Sequence, residues 1–396
     1  MPVAAVMDND TEHGRTASTT ARLARVDIFS DMAEAEATWR TMERTGSLLT
    51  PFQRFDFLSA WQTHVGRLEG VTPFIVVACD SAARPLLLLP LGVRRESGVR
   101  VASFLGGKHA TFNMPLLAPD FAATAGQADL MRLRDLLRDE RKADLLALTR
   151  QPARWLDVAN PLAALPSQPS VNNCPLLTLT PGAQPADRIS NSFRRRLKGK
   201  ERKLQGLAGY RYLIARSDDE IRRVIDAFFT MKPQRMAIQK LPNVFAEPGI
   251  AAFIDDACHA RWGDGRTIEI HALECDEEVI AIFAGMADGH RFSMMFNTYT
   301  ISPNAKYSPG LILLRNIIDH YADLDYTAID LGIGSDDYKL LFCKDDEPIF
   351  DSFLPLSARG SAAGMALSAM TRAKRAVKQT PALAQLAQRV RGVLQR

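Results

Sequence analysis

Apolar and polar positions alternate along this chain in two rhythms, one of period two and one near 3.6. Val26 to Phe29 is a short period-two run, and Ser30-Asp31 then offers an N-cap for a helix running through Met42. Pro51 and Phe52 open a second helix that carries Phe55, Leu58 and Trp61. Phe74 to Cys79, Leu86 to Val93 and Val99 to Leu105 read as three strands, the first two joined by a turn at Asp80 to Ala83. An irregular stretch from Asn113 to Leu117 leads to a helix over about 125–141 and a buried strand from Asp144 to Leu148. A Pro- and Ala-rich connector follows at 153–169, then a strand from Pro175 to Leu179 and a long basic helix starting at Asp187.

The second half repeats the first. After a strand at Tyr210 to Ala215, Ser217 to Glu220 forms a capping-box pattern for a helix carrying Ile221, Val224, Ile225 and Phe228, and another helix covers Ile250 to Trp262. Thr267 to Cys275, Val279 to Ala287 and Arg291 to Tyr299 are again three strands, followed by an irregular loop, a helix at Pro309 to Tyr321 and a strand at Tyr326 to Leu331. The order of elements is the same in both halves with almost no residue identity, which predicts an α+β protein built from two copies of one domain. The expected segments are a disordered leader at 1–24, a first domain at 25–180, a second at 181–357 and a basic helical tail at 358–396.

Composition narrows the class. Of 396 residues, 46% are hydrophobic and 24% charged, and 49 Lys and Arg against 45 Asp and Glu leave a net charge of +4. These values exclude a wholly disordered chain, a collagen-like fibre and a coiled-coil rod. The densest apolar run, Pro85 to Val93, holds two prolines and falls well short of the ~20 residues a spanning helix needs. No apolar signal segment is visible at the N-terminus, and five scattered cysteines without a C-x-x-C read as free thiols. A cytoplasmic location is the expectation. No HExxH, GxSxG or Walker pattern occurs, so no metal is expected, and zinc hydrolases, hydrolases with a nucleophile elbow and P-loop enzymes are disfavoured.

Four segments can carry chemistry. At Lys306-Tyr307-Ser308-Pro309-Gly310, Ser308 can cap a helix, Pro309 suits its first position and Gly310 leaves the first turn open. No acid lies between Ile301 and Arg315, so the junction reads either as an anion site or as a well-capped core helix. At Asp330 to Lys339 a buried strand ends in an acid, two glycines, two further acids, Tyr338 and Lys339. Asp330 can orient or accept a proton, Tyr338 can donate one and Lys339 can hold an anion, or the segment is a polar turn with structural ion pairs. Phe193 to Lys203 sets seven basic residues, Arg195 and Lys198 among them, against one acid, which is a solvated face or a docking surface for an anionic substrate. From Ala358 to Arg396 there are eight Lys or Arg and no acid, a pattern open to a solvated tail or to a peripheral membrane or partner contact through two basic helices, Gly364 to Val377 and Leu383 to Leu394.

Taken in order, these motifs are similar to one family. Pro51-Phe52-Gln53 with Trp61, Leu88 to Val93 with Phe104 to Gly107, the basic segment Arg194 to Leu204, Ser308 to Leu314, and Asp330-Leu331-Gly332 through Tyr338-Lys339 resemble the CelD-type (BioF2-like) acetyltransferases of the GNAT superfamily. The resemblance covers about residues 25 to 355. It implies two tandem GNAT-like domains, as in the FemABX transferases, with acetyl-CoA or another acyl-CoA bound by the second. The pyrophosphate would sit near Lys306, Tyr307, Ser308, Gly310 and Leu311, and the pantetheine along the strand Phe292 to Tyr299 with Phe296 and Asn297. Tyr338 would be the acid, Asp330 the base or its orienter, Lys339 a neighbour, and Arg195 and Lys198 a substrate-facing pair. The superfamily loop Q/R-x-x-G-x-G/A is present only in part, with Gly310 its single glycine. The implied reaction is N- or O-acyl transfer to a small-molecule, saccharide or amine acceptor in cellulose or exopolysaccharide production, without nucleic acid and with a polysaccharide synthesis complex as the partner. Two other readings remain: a FemABX-like transferase using aminoacyl-tRNA, and a non-catalytic scaffold. The first copy, lacking a Gly-capped helix start near Asn113 to Leu117, is expected to be degenerate.

Overall fold

The computed structural model describes residues 21–334 and 336–379. The first copy holds β1 (Arg25–Phe29), α1 (Met32–Arg44), α2 (Phe55–Trp61), β2 (Thr72–Cys79), β3 (Pro85–Glu96), β4 (Val99–Phe104), the short β5 (Leu116–Leu117), α3 (Gln127–Glu140) and β6 (Leu145–Pro152). Two strands of the connector, β7 (Ser167–Pro169) and β8 (Cys174–Thr178), come next. The second copy holds α4 (Asn191–Leu204), β9 (Arg211–Ala215), α5 (Asp218–Ile238), α6 (Ile250–His259), β10 (Glu269–Glu274), β11 (Val279–Ala287), β12 (Arg291–Tyr299), α7 (Pro309–Asp323), β13 (Ala328–Asp330) and β14 (Asp345–Glu347). The chain ends with β15 (Ile349–Pro355) and α8 (Ala358–Gln379).

Both sheets have the same order. The first runs β1-β2-β3-β4-β6-β15-β7, with β5 beside β3, and the second runs β9-β10-β11-β12-β13-β8-β14. In each, one parallel pair, β4 with β6 and β12 with β13, interrupts an otherwise antiparallel ladder. The expected repeat is therefore a repeat of topology, and the fold is α+β with two tandem copies of one mixed, mostly antiparallel domain.

Sheet membership departs from the expected boundaries at 180 and 357. Strand β8, before residue 180, lies in the second sheet beside β13, and β15, before residue 357, lies in the first sheet beside β6. Each copy thus lends a strand to the other. Without the exchange the outer edges of β6 and β13 would be bare, and in each an antiparallel strand from the far side of the chain covers that edge.

Of the expected leader, residues 1–20 lie outside the described residues, while residues 21–24 are fixed: Leu23 is buried and Arg22 pairs with Asp120 at 2.9 Å. In the tail, α8 covers the first sheet, with Ala363 and Leu367 over Val101, Leu145 and Ala147. The expected helix 383–394 lies outside the described residues. One core cluster spans both copies, and in it the Phe57 ring of α2 meets the Phe253 ring of α6 at 5.3 Å.

Candidate functional site

Strands β12 and β13 pair only at Arg291 with Ala328, Phe292 with Ile329 and Ser293 with Asp330. Beyond that point they part. A register shift at Ala284 and Gly285 of β11 leaves Met295 bulged on β12, and Met294 to Tyr299 then face an open side. Gly332, at φ +75°, turns the chain away from β13, and a Cβ there would meet the Met294 carbonyl at 3.2 Å. The parted strands open a cleft of about 810 Å³ between the two copies.

The first copy has the same parting between β4 and β6, but it is filled from within. The Asn113 N–H bonds to the Arg150 carbonyl at 3.0 Å, and the Asn113 side chain donates to the Thr149 carbonyl at 3.1 Å. The Arg150 guanidinium donates to the Ala110 carbonyl at 2.8 Å and to that of Gly107. The loop that closes the first opening becomes a wall of the second: Lys108, His109, Ala110, Thr111 and Arg150 all line the cleft.

The cleft brings together seven of the residues singled out from sequence: Phe296, Asn297, Ser308, Gly310, Leu311, Tyr338 and Lys339. Tyr338 is half-buried, and burial pushes its hydroxyl well above the ordinary tyrosine range, so it stays protonated. Its Oη accepts from Asn297 Nδ2 at 3.0 Å, and the acceptor for its own proton is the thioether sulfur of Met294, 3.8 Å away. A thioether is a weak acceptor, so this proton is available. Lys339 is buried and donates to the Gly332 carbonyl at 3.1 Å and the Gly334 carbonyl at 3.3 Å, which holds the loop carrying Tyr338 in place.

Asp330 is not in the cleft. It sits at the last paired position, one residue before the strands part, fully buried on the face toward the first copy. Its carboxylate takes Arg291 at 3.0 Å, the Ser293 hydroxyl at 2.5 Å and the Gly332 N–H at 3.1 Å. Burial raises its pKa while Arg291 and Ser293 pull it down. Of the two roles expected of Asp330, base or orienter, this burial does not suit the first, because alternation along β13 turns the carboxylate away from the opening, and its bonds to Arg291, Ser293 and Gly332 hold the strand end. Arg195 and Lys198 are exposed on α4 and do not line the cleft, nor do Lys306 and Tyr307.

The helix mouth differs in detail from the sequence expectation. Ser308 adopts a left-handed conformation at φ +57° and makes no side-chain cap. Its hydroxyl accepts instead from Lys200 Nζ at 2.7 Å, a residue of the basic helix that sequence reasoning did not separate from its neighbours. Leu311 and Ile312 donate to the Ser308 carbonyl at 3.1 and 3.2 Å and Pro309 has no N–H, so the Gly310 N–H is the one left at the mouth. Gly310, the helix dipole and Lys200 fit an anionic group of a ligand lying along β12.

His109 and Lys232 were also not found from sequence. Trp61 Nε1 donates to His109 Nδ1 at 3.1 Å, and burial lowers the His109 pKa to about 4, so the neutral ring carries its proton on Nε2. Lys232 donates to the Asn297 carbonyl at 2.9 Å. Among the described residues no group of three or more His, Cys, Asp or Glu is arranged to hold a metal ion, and no helix is long and apolar enough to cross a membrane.

Residues 191–340 match the family described as Acetyltransferase (GNAT) domain. The solved structure of FemX is similar in fold, with a TM-score of 0.53 at 10% identity over 83% of this chain and 97% of that one. The C-terminal domain (DUF2156) of a putative lysylphosphatidylglycerol synthetase from Agrobacterium fabrum gives 0.51 at 10% identity, over 87% and 97% of the two chains. A conserved protein of unknown function from Bacteroides thetaiotaomicron gives 0.50 at 12% identity, over 83% and 99%. No curated protein matches the sequence. The parted strands, the bulge and the glycine at the helix mouth thus lie within the segment, residues 191–340, that is similar to the acetyltransferase (GNAT) domain family, in the second of two copies of one topology.

Proposed function

We propose that this protein transfers an acyl group from acyl-CoA to an amine or hydroxyl, with the thioester lying along Met294 to Tyr299. The observation that carries the reading is the Tyr338 hydroxyl, held by Asn297 and directed at a sulfur atom at the point where the strands part. An acceptor nitrogen or oxygen attacks the thioester carbonyl and forms a tetrahedral oxyanion. On collapse the C–S bond breaks, the thiolate takes the Tyr338 proton, and the phenolate regains one from the acylated acceptor atom. Each turnover then yields one amide or ester and one free thiol. Ser308 and the Gly310 N–H would receive the pyrophosphate, as the resemblance to CelD-type enzymes implies, and Lys200, bonded to the Ser308 hydroxyl, would stand beside it. On the same resemblance the acceptor is a precursor of cellulose or another exopolysaccharide, met in the cytoplasm where acyl-CoA is made.

Calorimetric titration with acetyl-CoA and free CoA tests the donor. Micromolar binding is expected, and Gly310→Asp, which sets a charged side chain beside the free N–H, should weaken it at least about a hundredfold. Tyr338→Phe should keep the CoA affinity and lower turnover by about 10²- to 10⁴-fold once an acceptor is in hand. No binding of either ligand would overturn the reading. The second donor class, aminoacyl-tRNA, draws on the exposed Arg195, Arg196, Lys198, Arg202 and Lys203 of α4. It predicts tRNA binding that weakens steeply with salt and is lost when these residues are made neutral.

A further inference from the structure

Five cations line the cleft, Lys108, Arg150, Lys232, Arg235 and Lys339, against the carboxylates of Asp336 and Asp337. Four of the five are engaged with the protein. Lys108 pairs with Glu247, and Arg150 is spent on the Gly107 and Ala110 carbonyls. Lys339 holds the Gly332 loop and pairs with Asp336 at 3.3 Å, and Lys232 donates to the Asn297 carbonyl.

Arg235 differs. Among the described residues, none of its guanidinium N–H groups has an acceptor and no carboxylate lies within ion-pair distance. Its guanidinium carbon stands 3.3 Å from the centroid of the Tyr299 ring. A guanidinium on a ring face keeps its donors around its edge, ready for a planar or tetrahedral anion. One helical turn earlier on the same face of α5 stands Lys232, over the Phe245 ring at 5.3 Å. Burial, with the charge of Arg235 added, lowers the Lys232 pKa. Two neighbouring cations, one of them largely desolvated, are therefore held in the cleft with no protein counter-charge bonded to either. Like charges repel and burial disfavours the charge of Lys232, so the pair stands there at a cost that its ring contacts and one carbonyl bond must offset.

We infer that Lys232 and Arg235 form an anion subsite that takes a phosphate group of a ligand in the cleft. The subsite adjoins the helix mouth through Tyr299, whose ring also faces Gly310, where a Cβ would stand 3.4 Å from it. A phosphate there has two sources, the donor's own phosphates or a phosphorylated acceptor. The inference rests on the cleft being the reaction cleft, but not on CoA being the donor.

The test is calorimetry on the full-length protein with inorganic pyrophosphate, CoA, dephospho-CoA and pantetheine, for wild type, Arg235→Gln, Arg235→Lys and Lys232→Gln. Thermal melts confirm that each variant is folded. Pyrophosphate should bind wild type, lose about tenfold or more in Arg235→Gln, and recover in part in Arg235→Lys. If Arg235→Gln weakens CoA and leaves dephospho-CoA unchanged, the subsite holds the donor's 3′-phosphate. If both weaken and pantetheine does not, it holds the pyrophosphate. If neither changes while inorganic pyrophosphate is still lost, and pyrophosphate binds alongside CoA, the phosphate belongs to the acceptor. Pyrophosphate binding that is absent, or equal in wild type and Arg235→Gln, overturns the inference. Failure of CoA to bind any variant, with pyrophosphate still dependent on Arg235, refutes the donor reading and leaves this one standing.

Discussion

Glu43 shows how burial of one carboxyl shapes the pH response. It accepts the Phe55 N–H at 2.6 Å, and burial lifts its pKa to about 7 from a model-compound value of 4.5. A raised folded pKa means that the folded state binds the proton more tightly than the unfolded one. Its contribution is fully present below pH 4.5 and is lost as pH rises through 7. The amide in Glu43→Gln keeps an acceptor for Phe55 without a charge to desolvate. The variant should therefore gain on wild type between pH 4 and pH 8, by on the order of 2–3 kcal/mol, in denaturant titrations at the two pH values. An equal difference at both would show that Glu43 does not titrate in this range. His271 acts in the opposite sense. Tyr212 and Tyr321 bond its two ring nitrogens at 2.7 and 2.9 Å, and burial lowers its pKa to about 3. Its contribution falls as pH drops below the ordinary histidine range. At this scale the sequence marked Tyr338 and Gly310, because a Tyr-Lys pair after a Gly-x-Gly bend and a glycine in a first helical turn are unusual, whereas Asn297 entered only through the family resemblance. It could not mark Asp330 correctly, since an acid at a strand end looks the same whichever face it takes. Lys200 and Arg235 were hidden among many other cations, and only tertiary placement separates a paired cation from a free one.

At the scale of elements, order and type were readable while strand partners were not. The Ser217–Glu220 capping box forms as expected, the Ser217 hydroxyl accepting from the Glu220 N–H at 3.2 Å. Strands β11 and β12 have the limits expected for them, Val279–Ala287 and Arg291–Tyr299. Local periodicity decides such features. The exchange of β8 and β15 between the sheets depends on contacts far apart in the chain, and no local pattern records it. Its consequence is testable. A fragment of residues 21–180 carries nearly all of the first copy but lacks β15 and α8. It leaves the outer edge of β6 bare and uncovers Val101, Leu145 and Ala147. Size-exclusion chromatography and circular dichroism should show an aggregating fragment without a cooperative melt. Supplying residues 343–379 as a separate chain should restore a monomeric complex. A fragment that melts cooperatively alone would mean that the exchanged strand is dispensable.

At the scale of the whole molecule, the cleft exists only while the two copies keep their relative position, because its walls come from both. Arg291 is the clearest link between them. Its guanidinium lies 4.7 Å from the Phe112 ring and 4.9 Å from the Trp155 ring of the first copy. Within the second copy it meets Asp330 at 3.0 Å and Glu347 at 2.7 Å. Phe112 belongs to the loop that fills the first opening, so the plug of one copy is stacked on the strand that begins the opening of the other. Arg291→Met keeps much of the apolar bulk but removes the charge, leaving Asp330 fully buried without its partner. Breaking a buried pair from one side costs about 3–5 kcal/mol, because the remaining charge is uncompensated. A lowered melting temperature is therefore expected. The informative comparison is with Arg291→Met combined with Asp330→Asn. Asparagine keeps an acceptor for Ser293 and Gly332 and carries no charge. If the ion pair is what Arg291 mainly serves, the double variant regains more than half of the loss, while Asp330→Asn alone is also destabilised. If Arg291 acts chiefly through the two rings, the double variant stays as unstable as the single, and CoA affinity falls with it as the walls of the cleft lose register. Equal stability of Arg291→Met and wild type would mean that other contacts, such as Phe57 on Phe253, suffice to hold the copies together.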